Sequence, residues 1–155
     1  MRSQYAFLVL WLGSSIPLAA QDPPSVASSV ETVAIGGYWT SPEVDDGFYR
    51  VIIQTGGFEH AVSDIWVQWL ARPTDLEFSP RVVATRHLEE IARASVYLME
   101  PEFRVEGEHW ILSVTAVQTH CDPPNVERWN VELGLPSELV GLSSQVTRPG
   151  CDVPG

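Results

Sequence analysis

One histidine and several carboxylates lie close together in the first half of the chain. Glu59 and His60 are adjacent, Asp64 follows shortly after them, and the pair Asp45-Asp46 precedes them. Imidazole nitrogens and carboxylate oxygens bind divalent cations, and either group can act as a general base. The spacing fits neither the HExxH zinc pattern nor the DxDxDG calcium loop. A divalent-metal site at Glu59, His60 and Asp64 is therefore a minor hypothesis.

Aromatic residues form a second group of candidates, which could bind a carbohydrate. Exposed planar rings on a β-sheet can stack on sugar rings while neighbouring carboxylates accept hydrogen bonds from hydroxyl groups. Trp69, Trp110 and Trp129 keep step with aliphatic neighbours, so we expect them in the core. The other aromatics and the loop carboxylates make up the candidate ligand-binding residues: Tyr38, Trp39, Asp45, Asp46, Glu59, His60 and Trp66.

Nucleophilic catalysis has little support in the sequence. No GxSxG motif is present, and Cys121 and Cys151 lack a CxxC spacing. Lysine is absent from the whole chain, which excludes lysine Schiff bases and phosphate-binding P-loops. We therefore predict no catalytic residues, no cofactor and no enzymatic activity.

The charge of the chain is strongly one-sided. Twenty acidic residues stand against nine basic ones, which gives a formal net charge of −11. Binding of nucleic acid through phosphate contacts is improbable at this charge, and so is docking on an anionic membrane surface. A strong net charge favours solubility, and it could also attract a basic partner.

The N-terminus predicts export. Arg2 supplies a positive charge, residues 5–12 an apolar core and residues 17–20 a cleavage region. A membrane anchor is disfavoured because this apolar run is too short to span about 30 Å of hydrocarbon. We expect a signal peptide at 1–20, a flexible leader at 21–33, a β-sandwich domain at 34–145 and a tail at 146–155. The expected location is secreted or periplasmic, with no part embedded in a membrane after cleavage.

The two cysteines, Cys121 and Cys151, are predicted to form a disulfide. An even cysteine count in an exported chain indicates pairing, and only one pairing is available here. The bridge would tie the Pro/Gly-rich tail to the end of a strand. Its predicted role is structural.

Alternating apolar and polar residues predict strands near 48–55, 65–71, 81–87, 95–104, 109–120 and 127–133, with a further short strand near 139–142. Pro101 implies an edge position or a bulge in its strand. Residues 88–94 have helical spacing at Leu88, Ile91 and Ala92, which is compatible with one short helix. The sequence therefore predicts an all-β fold of about six to seven antiparallel strands, arranged as a β-sandwich or a small barrel.

These observations favour an exported, non-enzymatic β-sandwich that acts as a structural or protein-interaction module. The partner would bind an exposed sheet edge or the loops after Gly36 and Gly56. The alternative is a carbohydrate-binding module that uses exposed aromatics, ahead of metal binding. A row of coplanar, solvent-facing rings would favour sugar, whereas a flat apolar edge would favour protein.

Overall fold

The computed structural model describes residues 30–42, 46–57, 61–73, 79–118, 120 and 122–150. Within these ranges the chain forms eight strands and one short helix. In chain order they are β1 (Val30–Thr40), β2 (Asp46–Gly56), β3 (Val62–Ala71), β4 (Arg81–His87), α1 (Glu89–Ala92), β5 (Tyr97–Glu106), β6 (His109–Val117), β7 (Val126–Leu133) and β8 (Leu139–Arg148).

The strands form two four-stranded antiparallel sheets, one of β1-β2-β3-β4 and one of β5-β6-β7-β8. Each sheet is a meander in which neighbours in sequence are neighbours in space. The predicted all-β antiparallel fold is confirmed. The two separate sheets pack as a sandwich, which decides between the two architectures that the sequence had left open.

The domain extends further at both ends than the sequence predicted. β1 begins at Val30, inside the expected leader, and β8 continues to Arg148, inside the expected tail. Register shifts interrupt the pairing of β1 with β2, so the inward side chains of β1 do not follow a simple alternation. β8 is exposed over most of its length, and a strand without a buried face has no strict alternation of apolar and polar residues.

The core forms where the inner faces of the two sheets meet. In the first sheet the register pairs Tyr49 with Trp69, Val51 with Val67 and Ile53 with Ile65. All six of these side chains are buried. Leu112 and Val114 of β6 and Val131 and Leu133 of β7 supply the inner face of the second sheet. β2, β3, β6 and β7 are the interior strands of the two sheets.

Helix α1 connects the first sheet to the second. Leu88, just before it, and Ile91 within it are fully buried in the common core. The Leu88 N–H donates to the Ile65 carbonyl at 3.0 Å, which holds the helix beside the first half of β3. The prediction of a short helix in this region is confirmed, and the helix serves to bury two aliphatic side chains.

β5 is an edge strand with a bulge, as Pro101 predicted. The register shifts between Met99 and Glu102, and Glu100 has a φ of 54°. Proline cannot donate to a strand ladder, so an edge position with locally interrupted pairing accommodates it.

Hydrogen bonds join the sheets where β3 begins. The hydroxyl of the buried Ser63 accepts from the Leu98 N–H at 3.1 Å, and the Ser63 N–H donates to the Val96 carbonyl at 2.9 Å. The Tyr97 hydroxyl donates to Glu31 at 2.7 Å, which links β5 to β1. Nowhere in the described ranges is there a helix of the length and apolarity that crossing a membrane requires.

Candidate functional site

The two sheets have four edge strands, β1, β4, β5 and β8. These strands differ in how they protect the backbone groups that are not paired within the sheet. Natural sheets block unwanted pairing with proline, charge, bulges or short strands. β5 has Pro101 and a bulge. β4 has seven residues and carries Arg81, Arg86 and His87. β1 has two register shifts and lies against β5, where the Phe103 ring packs on Gly36.

The edge formed by β8 has fewer of these protections, and its middle part has none of them. Its ten residues, LVGLSSQVTR, include no proline and no charge before Arg148. Its two register shifts lie near its ends, and pairing is regular from Gly141 with Glu132 to Val146 with Glu127. Leu142 and Val146 are 36% and 49% exposed. β8 is thus a long edge strand that is uncharged before Arg148, regularly paired in its middle part and lined with exposed aliphatic side chains.

A cleft of about 580 Å³ opens at one end of the sandwich, next to the beginning of β8. Residues from six strands and two turns line it. They are Tyr38, Trp39, Thr40, Tyr49, Val105, Gly107, Glu108, His109, Trp110, Leu133, Gly134, Leu135, Glu138 and Val140. Four of these side chains are aromatic, and no arginine of the described ranges is among them.

A bulge in β1 directs Tyr38 and Trp39 to opposite environments. Gly37 has a φ of 63°, and the register with β2 shifts between Gly36 and Trp39. Glycine adopts this backbone conformation without steric cost. Tyr38 is consequently 61% exposed, whereas Trp39 is 3% exposed. The Trp39 ring fills the space beside Gly47, where a Cβ atom would lie within 3 Å of the indole.

Tyr38 and Trp110 form an aromatic corner at the cleft. Their ring centroids are 5.4 Å apart and their planes are inclined by 68°, an edge-to-face arrangement. Trp110 follows the β5–β6 turn and is half-buried at the end of the inner face of β6. The two rings therefore present surfaces at a steep angle and do not form a flat platform.

The floor of the cleft is held by the carbonyl of Gly134, which follows β7. This oxygen accepts hydrogen bonds from the Tyr49 hydroxyl at 3.1 Å and from Trp69 Nε1 at 3.0 Å. Both donors belong to the first sheet, so the two bonds tie the sheets together at this end. Burial raises the pKa of Tyr49 to about 12.

The raised pKa of Tyr49 predicts a loss of stability in alkali. In the unfolded chain the hydroxyl loses its proton near pH 10, whereas in the folded protein it keeps it until about pH 12. Unfolding therefore releases a proton in this window, and stability present below about pH 10 falls as the pH rises towards 12. We expect a loss of about 2–3 kcal/mol, measured by urea unfolding between pH 9 and 12.

The Tyr49→Phe variant is the control for this prediction. It lacks one hydrogen bond and should be less stable at neutral pH by about 1 kcal/mol. Its stability should decline less than that of the native protein over the alkaline window. Equal declines for both proteins would contradict the assignment to Tyr49.

Carboxylates give the cleft a negative rim. Glu108 lies in the turn before β6, and Glu138 lies in the turn before β8, where it accepts from the Leu135 N–H at 3.3 Å. His109 Nε2 lies 3.5 Å from Glu132. With the aromatic corner, these groups provide π-electron faces and anionic oxygens within one concavity.

The structure separates the candidate residues chosen from the sequence. Tyr38 and Trp39 line the cleft. Asp46 is the cross-strand partner of Thr40, and its carboxylate lies 3.3 Å from the Arg72 guanidinium. Trp66 lies elsewhere, on the outer face of the first sheet.

Asp64 lies beside Trp66 and away from the cleft. Its carboxylate is 3.2 Å from His87 Nε2, and the His87 ring stacks on Trp66 with centroids 4.9 Å apart. Asp45, Glu59 and His60 lie outside the described residues, as do Cys121 and Cys151. Among the residues that are described, no three His, Cys, Asp or Glu side chains are grouped to hold a metal ion.

Two predictions about the candidate binding residues differ from the structure. The residues after Gly36 continue β1 to Thr40, so the predicted loop there is a strand with a bulge. The coplanar row of rings expected of a sugar platform is not formed by Tyr38, Trp39 and Trp66, which have three different environments.

Several cleft residues escaped the sequence analysis. Trp110 was expected in the core because it keeps step with Leu112 and Val114; it packs against the core and also lines the cleft. Glu108 and Glu138 belong to turns on two different hairpins. Only the packing of the second sheet against the first brings them to Tyr38, so no local pattern could have revealed them.

Together these features define a two-sheet, all-β domain with an unprotected sheet edge beside an aromatic, acidic cleft. No protein-family model, curated protein or solved structure matches the chain.

Proposed function

We propose that the protein is an exported, non-enzymatic binding module that takes an extended segment of a partner protein onto β8. The observation that carries the proposal is the contrast between β8 and the three other outer strands. β8 alone among them combines regular pairing with the absence of proline and of charge before its final residue. The predicted signal peptide supports the extracellular or periplasmic location.

Strand addition uses the hydrogen-bonding groups of an edge. A partner segment in extended conformation would pair with the outward N–H and C=O groups of β8 and become the fifth strand of the second sheet. The regular part of β8, from Gly141 to Val146, spans about 17–20 Å at the usual rise per residue. A segment of six residues is long enough to occupy it.

Side chains on β8 would add selectivity. Leu142, Ser144 and Val146 are every second residue of β8, so their side chains lie on the same face of the strand. Their exposed aliphatic surface would be buried by apolar residues at alternating positions of the partner segment. The expected partner sequence is therefore extended, with apolar residues two and four positions apart.

The charge of the chain argues against a second copy as the occupant of β8. Two molecules of formal net charge −11 repel each other. A neutral or basic segment of another protein avoids this repulsion. We therefore assign the β8 edge to a heterologous partner.

The double variant Leu142→Lys, Val146→Lys tests this proposal. Both side chains are exposed, so the variant should fold normally, while two lysines on an edge strand oppose the addition of another strand. In affinity capture from an extract of the source cell envelope and medium, the native protein should retain a partner that the variant loses. Circular dichroism and thermal unfolding check the fold of each protein.

The matched control is Val33→Lys, Ile35→Lys on β1. These residues are 51% and 62% exposed, and the variant makes the same chemical change on the outer strand of the other sheet. It should capture the partner as the native protein does. Capture that is equal for all three proteins, or absent for the native protein, would overturn the proposal. Self-association of the native protein that the β8 variant abolishes would instead assign the edge to a second copy.

A further inference from the structure

We infer that the cleft bounded by Tyr38 and Trp110 binds the ammonium group of an organic cation. This inference is independent of strand addition at β8. It rests on the ring geometry, the acidic rim and the absence of any described arginine from the cleft lining.

The aromatic corner supplies two faces that attract a cation. Electron-rich ring faces stabilise ammonium groups by cation–π attraction, most strongly where several rings meet. Tyr38 and Trp110 pack edge-to-face at 68° with centroids 5.4 Å apart, so the edge of one ring lies against the face of the other. An ammonium group would contact the ring faces that remain open to the cleft.

The acidic rim favours a ligand with a positive charge. Glu108 and Glu138 line the same cleft, and their carboxylates complement a positive ligand. The formal net charge of −11 adds a long-range attraction for cations and a repulsion of anions. The apolar part of the ligand would contact Val105, Leu135 and Val140.

The volume of the cleft limits the size of the ligand. About 580 Å³ accommodates a small molecule or one long side chain, and it lies within the usual range for ligand pockets. The ammonium group could come from a free small cation or from a lysine side chain of a bound polypeptide. Both sources have the same recognition chemistry, and the probes below distinguish them.

Binding is tested with three probes by calorimetry or tryptophan fluorescence. They are choline, Nα-acetyl-lysine methylamide and the uncharged choline isostere 3,3-dimethylbutan-1-ol. At least one cation should bind more tightly than the neutral isostere, and its affinity should fall as salt is added. The tighter of the two cations identifies the source. Equal binding of the isostere, or no binding of either cation, would overturn the inference.

Variants locate the binding in the cleft. Tyr38→Ala should weaken binding of the preferred cation about two- to fivefold, and Tyr38→Phe should restore it, because the ring face is retained. Glu108→Gln should also weaken it. Glu90→Gln, in helix α1 at the opposite end of the sandwich, should have no effect.

The β8 variant Leu142→Lys, Val146→Lys should still bind the cation, which separates this inference from the proposed function. A Tyr38→Ala protein with unchanged affinity would overturn the assignment to the cleft. Because Tyr38 is mostly exposed, this substitution should leave the fold intact.

Discussion

Replacing Trp69 with alanine is expected to lower the free energy of unfolding by about 3–5 kcal/mol. The indole is fully buried between the sheets and contacts Tyr49 edge-to-face, with centroids 6.1 Å apart. Alanine would leave a large cavity that the surrounding strands cannot fill. The Gly134 carbonyl would also lose the hydrogen bond from Nε1, one of its two ties to the first sheet. Chemical denaturation monitored by far-UV circular dichroism measures the loss.

Trp66→Ala is the matched control for this prediction. It removes the same residue type from the same strand, but Trp66 lies on the outer face and is only partly buried. Its main described contact is the stacked ring of His87, so we expect a loss of about 1 kcal/mol. Similar losses for the two variants would contradict the division of β3 into a core face and an outer face. The thermal midpoints should fall in the same order.

Removing the predicted disulfide between Cys121 and Cys151 is the second large change that we expect. The bridge would close a loop of about 30 residues, which in the chain-entropy model contributes roughly 3–4 kcal/mol. The described residues next to the two cysteines lie close together. A Cβ atom on Gly150 would clash with the Asn125 nitrogen and the Pro123 carbonyl oxygen. The chain before Cys151 therefore runs against the chain that follows Cys121.

The Cys121→Ser, Cys151→Ser variant and the native protein, each with and without reductant, test this prediction. Reductant should destabilise the native protein by about the same amount as the double substitution and should not affect the variant. Mass spectrometry of peptides prepared without reduction identifies the bridge directly. Two free thiols in the native protein purified from an oxidising compartment would contradict the pairing.

The two proposed sites are neighbours, because the cleft lies where the two sheets meet and β8 is an edge strand of the second sheet. Val140 belongs to β8 and also lines the cleft. A segment added to β8 would therefore pass close to the aromatic and acidic residues of the cleft. A lysine near one end of such a segment could reach the cleft. The variants at Leu142 and Val146 and those at Tyr38 and Glu108 report on the two sites separately.

Much of the fold could be predicted from alternation alone. β4 was expected at residues 81–87, which are its bounds in the structure. Trp129, Val131 and Leu133 were expected to face inwards, and Val131 and Leu133 are buried with Trp129 packed against the core. These predictions succeed because interior strands bury one face completely, and a side-chain period of two is a strong local signal.

The outer strands were harder to predict. β1 contains two register shifts and a glycine with positive φ, and β8 has few buried side chains. At an edge, pairing with one neighbour is enough to hold a strand, and polar residues remain in contact with water. The sequence of β8 therefore predicted only a short strand near residues 139–142, although the structure has ten residues there.

By itself, the sequence determined the all-β class, the interior strands, the acidic charge and the candidacy of Tyr38 for exposure. Each of these depends on residue type or on spacing within one strand. Only the tertiary structure decided that Tyr38 meets Trp110 and two turn carboxylates in a cleft, and that β8 is the unprotected edge. Both depend on strand order and on the packing of one sheet against the other, which bring together residues far apart in the chain.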